Sequence, residues 1–287
     1  MELGRLGVWY GADKLTPAQW KRFVARIESL GYGTLWYSES RGFESLSLGS
    51  FLLCNTTRLK VGSSIASIYA RDAYSSFAGA RTLAQISGNR FVLGLGVSHA
   101  PMVEHLRGHQ YGKPLSTMRS YLQHMRSAAG DDDHGWPIAL AALGPKMLEL
   151  SRDATRGALP YNVTPEHTER AKRILGPDRW LVVEQKVLLE TEPAKARALA
   201  RAELKRYMSL PNYCNNWRSL GFDDKDLAGD GSDRFMDAMV VWGTQADIEA
   251  RIQAHFDAGA TQVCIQPVHE PGDLDAAERT LEAFAPA

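Results

Sequence analysis

Along the 287-residue chain, short apolar runs alternate eight times with stretches of helical periodicity. The runs read as strands near Leu6–Tyr10, Thr34–Ser38, Leu59–Ile65, Phe91–Leu95, Pro137–Ala142, Gly157–Tyr161, Leu181–Leu189 and Val263–Gln266. Strands that return through helices must lie parallel, and eight such units imply a closed barrel. The helical stretches carry their own start and stop signals. Thr16-Pro17-Ala18-Gln19 combines an N-cap, proline at the first helical position and a capping-box glutamine. Trp20, Phe23, Val24, Ile27 and Leu30 follow on one face before Gly31. The expected fold is therefore α/β, a (β/α)8 TIM barrel, with residues 1–287 forming a single domain. Residues 209–237 break the rhythm; such an irregular insertion before the last βα unit is expected to be a lid or an interface element.

Charge excludes some partners. The 33 basic and 33 acidic side chains cancel, which removes any broad electrostatic case for nucleic acid or a membrane surface. The opening Met1-Glu2-Leu3-Gly4-Arg5 resembles no signal peptide, and no apolar stretch approaches the roughly 20 residues of a membrane helix, so a cytoplasmic location is expected. Cys54, Cys214 and Cys264 are odd in number and far apart, and are expected to be core thiols in a reducing compartment. No metal is expected: Asp131-Asp132-Asp133-His134 reads as a solvated loop, and Gly108 separates His105 from His109.

In barrels of this kind the site lies at the C-terminal ends of the strands. Those ends offer Trp9 and Tyr10 as aromatic walls of a substrate pocket, Glu39-Ser40, Ser64-Ile65, Gly96 to His99, Leu143-Gly144 and Gln266. Glu184 and Lys186 are polar within an otherwise apolar run, as expected of inward-facing pocket residues for a small-molecule substrate. Glycine at 94, 96 and 144 bares backbone, and Pro145 opens a helix whose N-terminus favours an anion. From the residues alone, a plain strand-to-helix turn explains the same pattern.

Three stretches carry a resemblance. They are Gly62-Ser-Ser-Ile-Ala-Ser-Ile-Tyr-Ala-Arg-Asp72, Ala80 to Met102, and Ala141-Ala-Leu-Gly-Pro145. Together they resemble the bacterial luciferase-like superfamily, and more closely its actinobacterial branch using the deazaflavin coenzyme F420. The resemblance implies a cis peptide at Ser64–Ile65, with Ala66 and Ser67 beside it, supporting the cofactor ring. It implies cofactor-phosphate contacts from Gly96-Val97-Ser98 and Leu143-Gly144-Pro145. Related dehydrogenases carry Asp-His where this chain has Glu39-Ser40, and glutamate where it has His99. The resemblance thus places Ser40 at the cofactor, with Glu39 touching the ring or a bound hydroxyl. An imidazole titrates near neutrality, so His99 is a candidate acid/base; its alternative is a loop hydrogen bond. The implied function is hydride transfer between F420 and a small organic substrate, by a homodimer. The alternatives are an FMN-dependent monooxygenase on the same scaffold and a flavin-binding barrel without turnover. A metal-dependent hydrolase would want His-x-His where Val8-Trp9-Tyr10 stands.

Overall fold

A computed structural model describes residues 1–130 and 137–286. In chain order its elements are β1 (Leu6–Tyr10), α1 (Pro17–Ser29), β2 (Thr34–Tyr37), α2 (Ser45–Cys54), β3 (Lys60–Ser63), β4 (Ala66–Ser67), α3 (Ala73–Ser87), β5 (Phe91–Gly96) and α4 (Pro114–Ala129). There follow β6 (Ile138–Leu140), α5 (Pro145–Ala154), β7 (Gly157–Ala158), α6 (Pro165–Leu175), β8 (Trp180–Leu189) and α7 (Pro193–Leu204). The chain ends with α8 (Pro211–Ser219), α9 (Asp224–Leu227), α10 (Asp233–Met239), β9 (Val240–Gly243), α11 (Gln245–Asp257), β10 (Gln262–Pro267) and α12 (Leu274–Ala283). Every strand pair is parallel, in the order β10-β1-β2-β3-β5-β6-β7-β8, and β8 pairs back onto β10. This is a closed eight-stranded (β/α)8 barrel, with β4 continuing β3 and pairing with β5.

The two-residue period of the strands sorts the core into two shells. Trp9, Trp36, Val92, Ala139, Leu159, Val182 and Cys264 pack together inside the barrel. Their strand neighbours, including Val8, Tyr10, Leu35, Tyr37, Phe91 and Leu93, pack outward beneath the helices. The helix start anticipated at Thr16 is a full capping box, and Thr244 makes another at the start of α11.

Several expectations require correction. The third strand is interrupted after Ser63, and the sixth is only Gly157–Ala158. The irregular 209–237 stretch folds largely as α8, α9 and α10. An unforeseen strand, β9, then pairs with Lys186–Leu189. It pairs on the edge of β8 that the two-residue β7 leaves free, because Lys186 and Val187 pair with β10 on their other side. Cys264 is buried, but Cys54 is exposed at the end of α2 and is no core thiol. The acidic run Asp131–His134 lies outside the described residues. Among the described residues no helix is long and apolar enough to cross a membrane.

Two buried histidines tie the outer shell together. Gln185 Nε2 donates to the Lys186 and Met239 carbonyls, so its Oε1 accepts from His255 Nε2 at 2.9 Å. Thr168 Oγ1 then donates to His255 Nδ1 at 2.8 Å. Burial lowers His255 to about 3 and His167 to about 4. An unfolded histidine takes its proton near 6.5, so this contribution is fully present above that pH and is lost as the pH falls. Each ring held neutral costs about 1.4 kcal/mol of stability per pH unit below that point. Urea unfolding from pH 7.5 to 4.5 is expected to show this decline, with a shallower slope in His255→Gln.

Candidate active site

The mouth of the barrel is organised by one carboxylate. Glu39, in the loop after β2, has its side chain only 3% exposed. Its Oε2 accepts from the Ser67 amide at 2.7 Å and from Arg71 Nη1 at 3.2 Å. Its Oε1 pairs with Arg71 Nη2 and accepts from the Ser45 amide at 3.4 Å. The backbone N–H of Glu39 donates to the Ile65 carbonyl at 3.4 Å. Glu39 thus grips the chain at Ile65 and Ser67, just beyond the Ser64–Ile65 bond, which is cis. Both carboxylate oxygens are engaged, which suits a positioning group better than a proton carrier. Arg71 is further held by Glu44 at 2.7 Å.

Opposite the bulge runs the glycine turn of β5. A Cβ on Gly96 would stand 2.5 Å from Ile65 Cγ1, so glycine here lets the bulge approach. Ala66 and Ser67 are buried, whereas Ser40, Ser64, Ile65, Val97, Ser98 and His99 are half-buried. Ser98 takes the left-handed conformation with φ 57°. Farther round the mouth, Gly144 is the N-cap of α5 and supplies no side-chain cap; a Cβ there would meet nothing within 4 Å. Leu143, Gly144 and Pro145 therefore border open space at a helix N-terminus, where an anion is favoured.

The interior of the mouth is polar. Lys186 Nζ, fully buried, donates to Asn162 Oδ1 at 2.6 Å and Glu184 Oε1 at 3.1 Å, and lies 4.0 Å above the Tyr161 ring. Burial lowers Lys186 and raises Glu184, each partly offset by the charge of the other. Tyr161 Oη joins Tyr207 Oη and Gln266 Oε1, both at 2.9 Å. Gln266 Nε2 donates to Glu203, which pairs with Lys14 at 3.1 Å nearer the surface. Trp9 packs its ring 4.7 Å from Tyr161. Trp9 Nε1 and Asn162 Nδ2 are buried donors with no partner among the described residues, which is the condition expected where a ligand oxygen or water completes the site.

Helix α8 covers this arrangement. Tyr213 lies 5.8 Å from the His99 ring and 6.3 Å from Tyr161, and Trp217 Nε1 donates to the Asn162 carbonyl at 3.0 Å. Burial lowers His99, and a hydrogen bond with Asn212 of α8 works against that shift. The structure thus gathers Trp9, Glu184, Lys186 and Gln266 inside the mouth and links His99 to them through Tyr213. Tyr10 is not among them. The strand pleat turns it outward against Trp20 and Phe23, where its hydroxyl meets His269 at 2.8 Å. Tyr161, Asn162, Tyr207 and Tyr213 were not singled out from the sequence as site residues. Tyr161 ends the run read as the sixth barrel strand and Asn162 follows it, the one signal that pointed to them.

The luciferase-like monooxygenase family matches residues 1–262, and the chain belongs to this family. It is 29% identical over 199 residues to a putative coenzyme F420-dependent oxidoreductase of Mycobacterium tuberculosis, covering 58% of this chain and 56% of that protein. The match thus spans little more than half of that relative. An F420-dependent secondary alcohol dehydrogenase, solved with an F420-acetone adduct, aligns over 98% of both chains with TM-score 0.79 and 12% identity. A type II Baeyer-Villiger monooxygenase, the oxygenating constituent of 3,6-diketocamphane monooxygenase of Pseudomonas putida with FMN, aligns at TM-score 0.72 and 14% identity. That alignment covers 99% of this chain and 97% of the other. Likenesses at such identities establish the fold.

The Glu39–Arg71 pair makes an asymmetric prediction. Arg71→Met leaves Glu39 buried without its counter-charge and is expected to cost about 3 kcal/mol or more. Glu39→Gln is expected to cost less, because Arg71 keeps Glu44. Urea unfolding of both variants, and of the double variant Glu39→Leu/Arg71→Met, measures the difference.

Proposed function

We propose that this chain is an F420-dependent oxidoreductase acting on a small organic substrate. The observation that carries the reading is a pair of features at the ends of neighbouring strands β5 and β6: the half-buried Ser64–Ile65 bulge packed against the Gly96 turn, and open space at Gly144 on the N-terminus of α5. The match to an F420-dependent relative adds support. When bound, the deazaflavin would supply a ring carbon, C5, that gives or takes hydride. Ser64, Ile65, Ala66 and Ser67 would support its ring, with Ser40 at the rim. Gly96-Val97-Ser98 and Leu143-Gly144-Pro145 would take its phosphate on backbone N–H groups.

The rest of the work falls to side chains. His99 would hold the mobile proton on the imidazole nitrogen that Asn212 leaves free, and burial keeps that imidazole neutral at physiological pH. Trp9 Nε1 and Asn162 Nδ2 would donate to the substrate oxygen, with the Lys186 charge beside them and Glu184 balancing it. Glu39 would act through the bulge it holds. Tyr213 and Trp217 of α8 would exclude water from the mouth. An FMN-dependent monooxygenase is the second reading, favoured by the FMN-bound neighbour of the same fold.

Equilibrium fluorescence titration with F420 and FMN side by side tests the proposal. F420 is expected to bind the tighter, and Gly144→Glu to weaken it about 100-fold, near 3 kcal/mol, by filling the open space with a like charge. Preference for FMN would move the function to oxygen chemistry. His99→Gln is expected to lower kcat about 100-fold or more while leaving cofactor affinity intact. In the oxidising direction, wild-type kcat is expected to fall on the acid side only below the ordinary histidine range, because the His99 pKa is lowered by burial.

A further inference from the structure

At the end of the barrel away from the mouth, an open cleft of about 360 Å³ lies between α4 and α5. Ile138 opens β6, Arg156 directly precedes β7 and Arg179 directly precedes β8, so the cleft sits at the N-terminal ends of these strands. Its floor is apolar: Phe77 of α3, Leu122 and Met125 of α4, and Ile138. Room remains because both helices end here in alanine, at Ala129 and Ala154, and these short side chains leave the space between the helix ends unfilled. A cleft of this volume is on the scale of small-molecule sites.

The rim supplies positive charge. Arg126 Nη2 donates to the Ala154 carbonyl at 3.1 Å, and Arg179 Nε donates to the Arg152 carbonyl at 2.7 Å. Both guanidiniums are thus held at the last turn of α5, and both line the cleft. Arg126 is exposed and Arg179 half-buried, so a solute can reach them. Neither is ion-paired among the described residues, and each keeps N–H groups with no partner there. The carboxylate that lines the cleft, Asp153, is already engaged by Arg152, which donates to it at 2.8 and 3.4 Å. Arg119 and Arg179 act on Asp153 only at longer range. Capping the last carbonyls of a helix accounts for one bond of each guanidinium. It leaves their remaining donors beside an apolar floor, which is the pattern that an amphipathic anion completes.

We propose that this cleft binds an organic acid with a compact apolar body, the body lying on Phe77, Leu122, Met125 and Ile138 and the carboxylate on Arg126 and Arg179. A guanidinium presents its N–H groups in a planar fork that matches a carboxylate. The cleft lies at the opposite end of the strands from the candidate active site, so the acid is a bound ligand and not a substrate. Its binding does not depend on which cofactor the barrel takes.

Isothermal titration calorimetry of the full chain at pH 7 tests this with three probes: octanoate, its neutral counterpart octanamide, and acetate, which lacks the apolar body. Octanoate is expected to bind saturably at one site, and octanamide and acetate each about 10-fold more weakly or worse. The double variant Arg126→Met/Arg179→Met removes both guanidiniums and is expected to lower octanoate affinity by about 10-fold or more. Ala154→Leu fills the cleft while keeping both arginines, and is expected to lower it as much. Thermal unfolding checks that each variant is folded. The absence of saturable octanoate binding, equal affinity for octanamide, or octanoate affinity unchanged in either folded variant overturns the proposal.

Discussion

The Glu39 carboxylate is the constraint on which the mouth of the barrel depends. It sits nearly water-free between a guanidinium and two backbone amides, and its own amide reaches across to Ile65. A buried carboxylate is tolerable only when its lone pairs are met, and here they are met by groups on β4, α2 and Arg71. Those bonds hold the interrupted third strand in place against β5. The Gly96 turn can then come close to the bulge, and the half-buried surface they share takes its shape from that approach.

A second set of polar groups lies on the inner face of the same wall. Glu184 and Lys186 are two residues apart on β8, so the pleat turns both inward, while Gln185 between them turns outward to His255. The ion pair survives in the interior because Asn162 and the faces of Tyr161 and Tyr207 complete the ammonium's surroundings. The tyrosines and Gln266 carry the network outward to Glu203 and Lys14, and α8 closes over it. The same helix that covers the mouth supplies Asn216 to the seam beside α6, so its seat is set from two sides.

Much of this was legible in the chain before any coordinates. The strand–helix alternation, the Thr16 cap, the glycine end of β5, the cis bond at Ser64–Ile65 and the turn at Leu143-Gly144 before α5 all depend on local patterns, and the structure retains them. Glu184 and Lys186 were visible as polar residues in an apolar strand. Tyr10 was misread because a strand end exposes two faces and residue type does not say which faces the barrel axis. The bond between Glu39 and Arg71 was not visible because the two lie 32 positions apart. Strand β9 was missed because it has no identity apart from the edge of β8 that β7 leaves free.

The sequence by itself determined the parallel barrel and the glycine and proline positions at its strand-to-helix turns. These follow from periodicity and from dihedral freedom, which are properties of neighbouring residues. Only the tertiary structure decided which polar side chains are already spent on each other. It showed Glu39 held by Arg71, Lys186 shared between Glu184 and Asn162, and Trp9, Asn162, His167 and Asn216 left with unmet atoms. Hydrogen bonding and desolvation depend on what the folded chain brings within about 3 Å, and no stretch of sequence contains that distance.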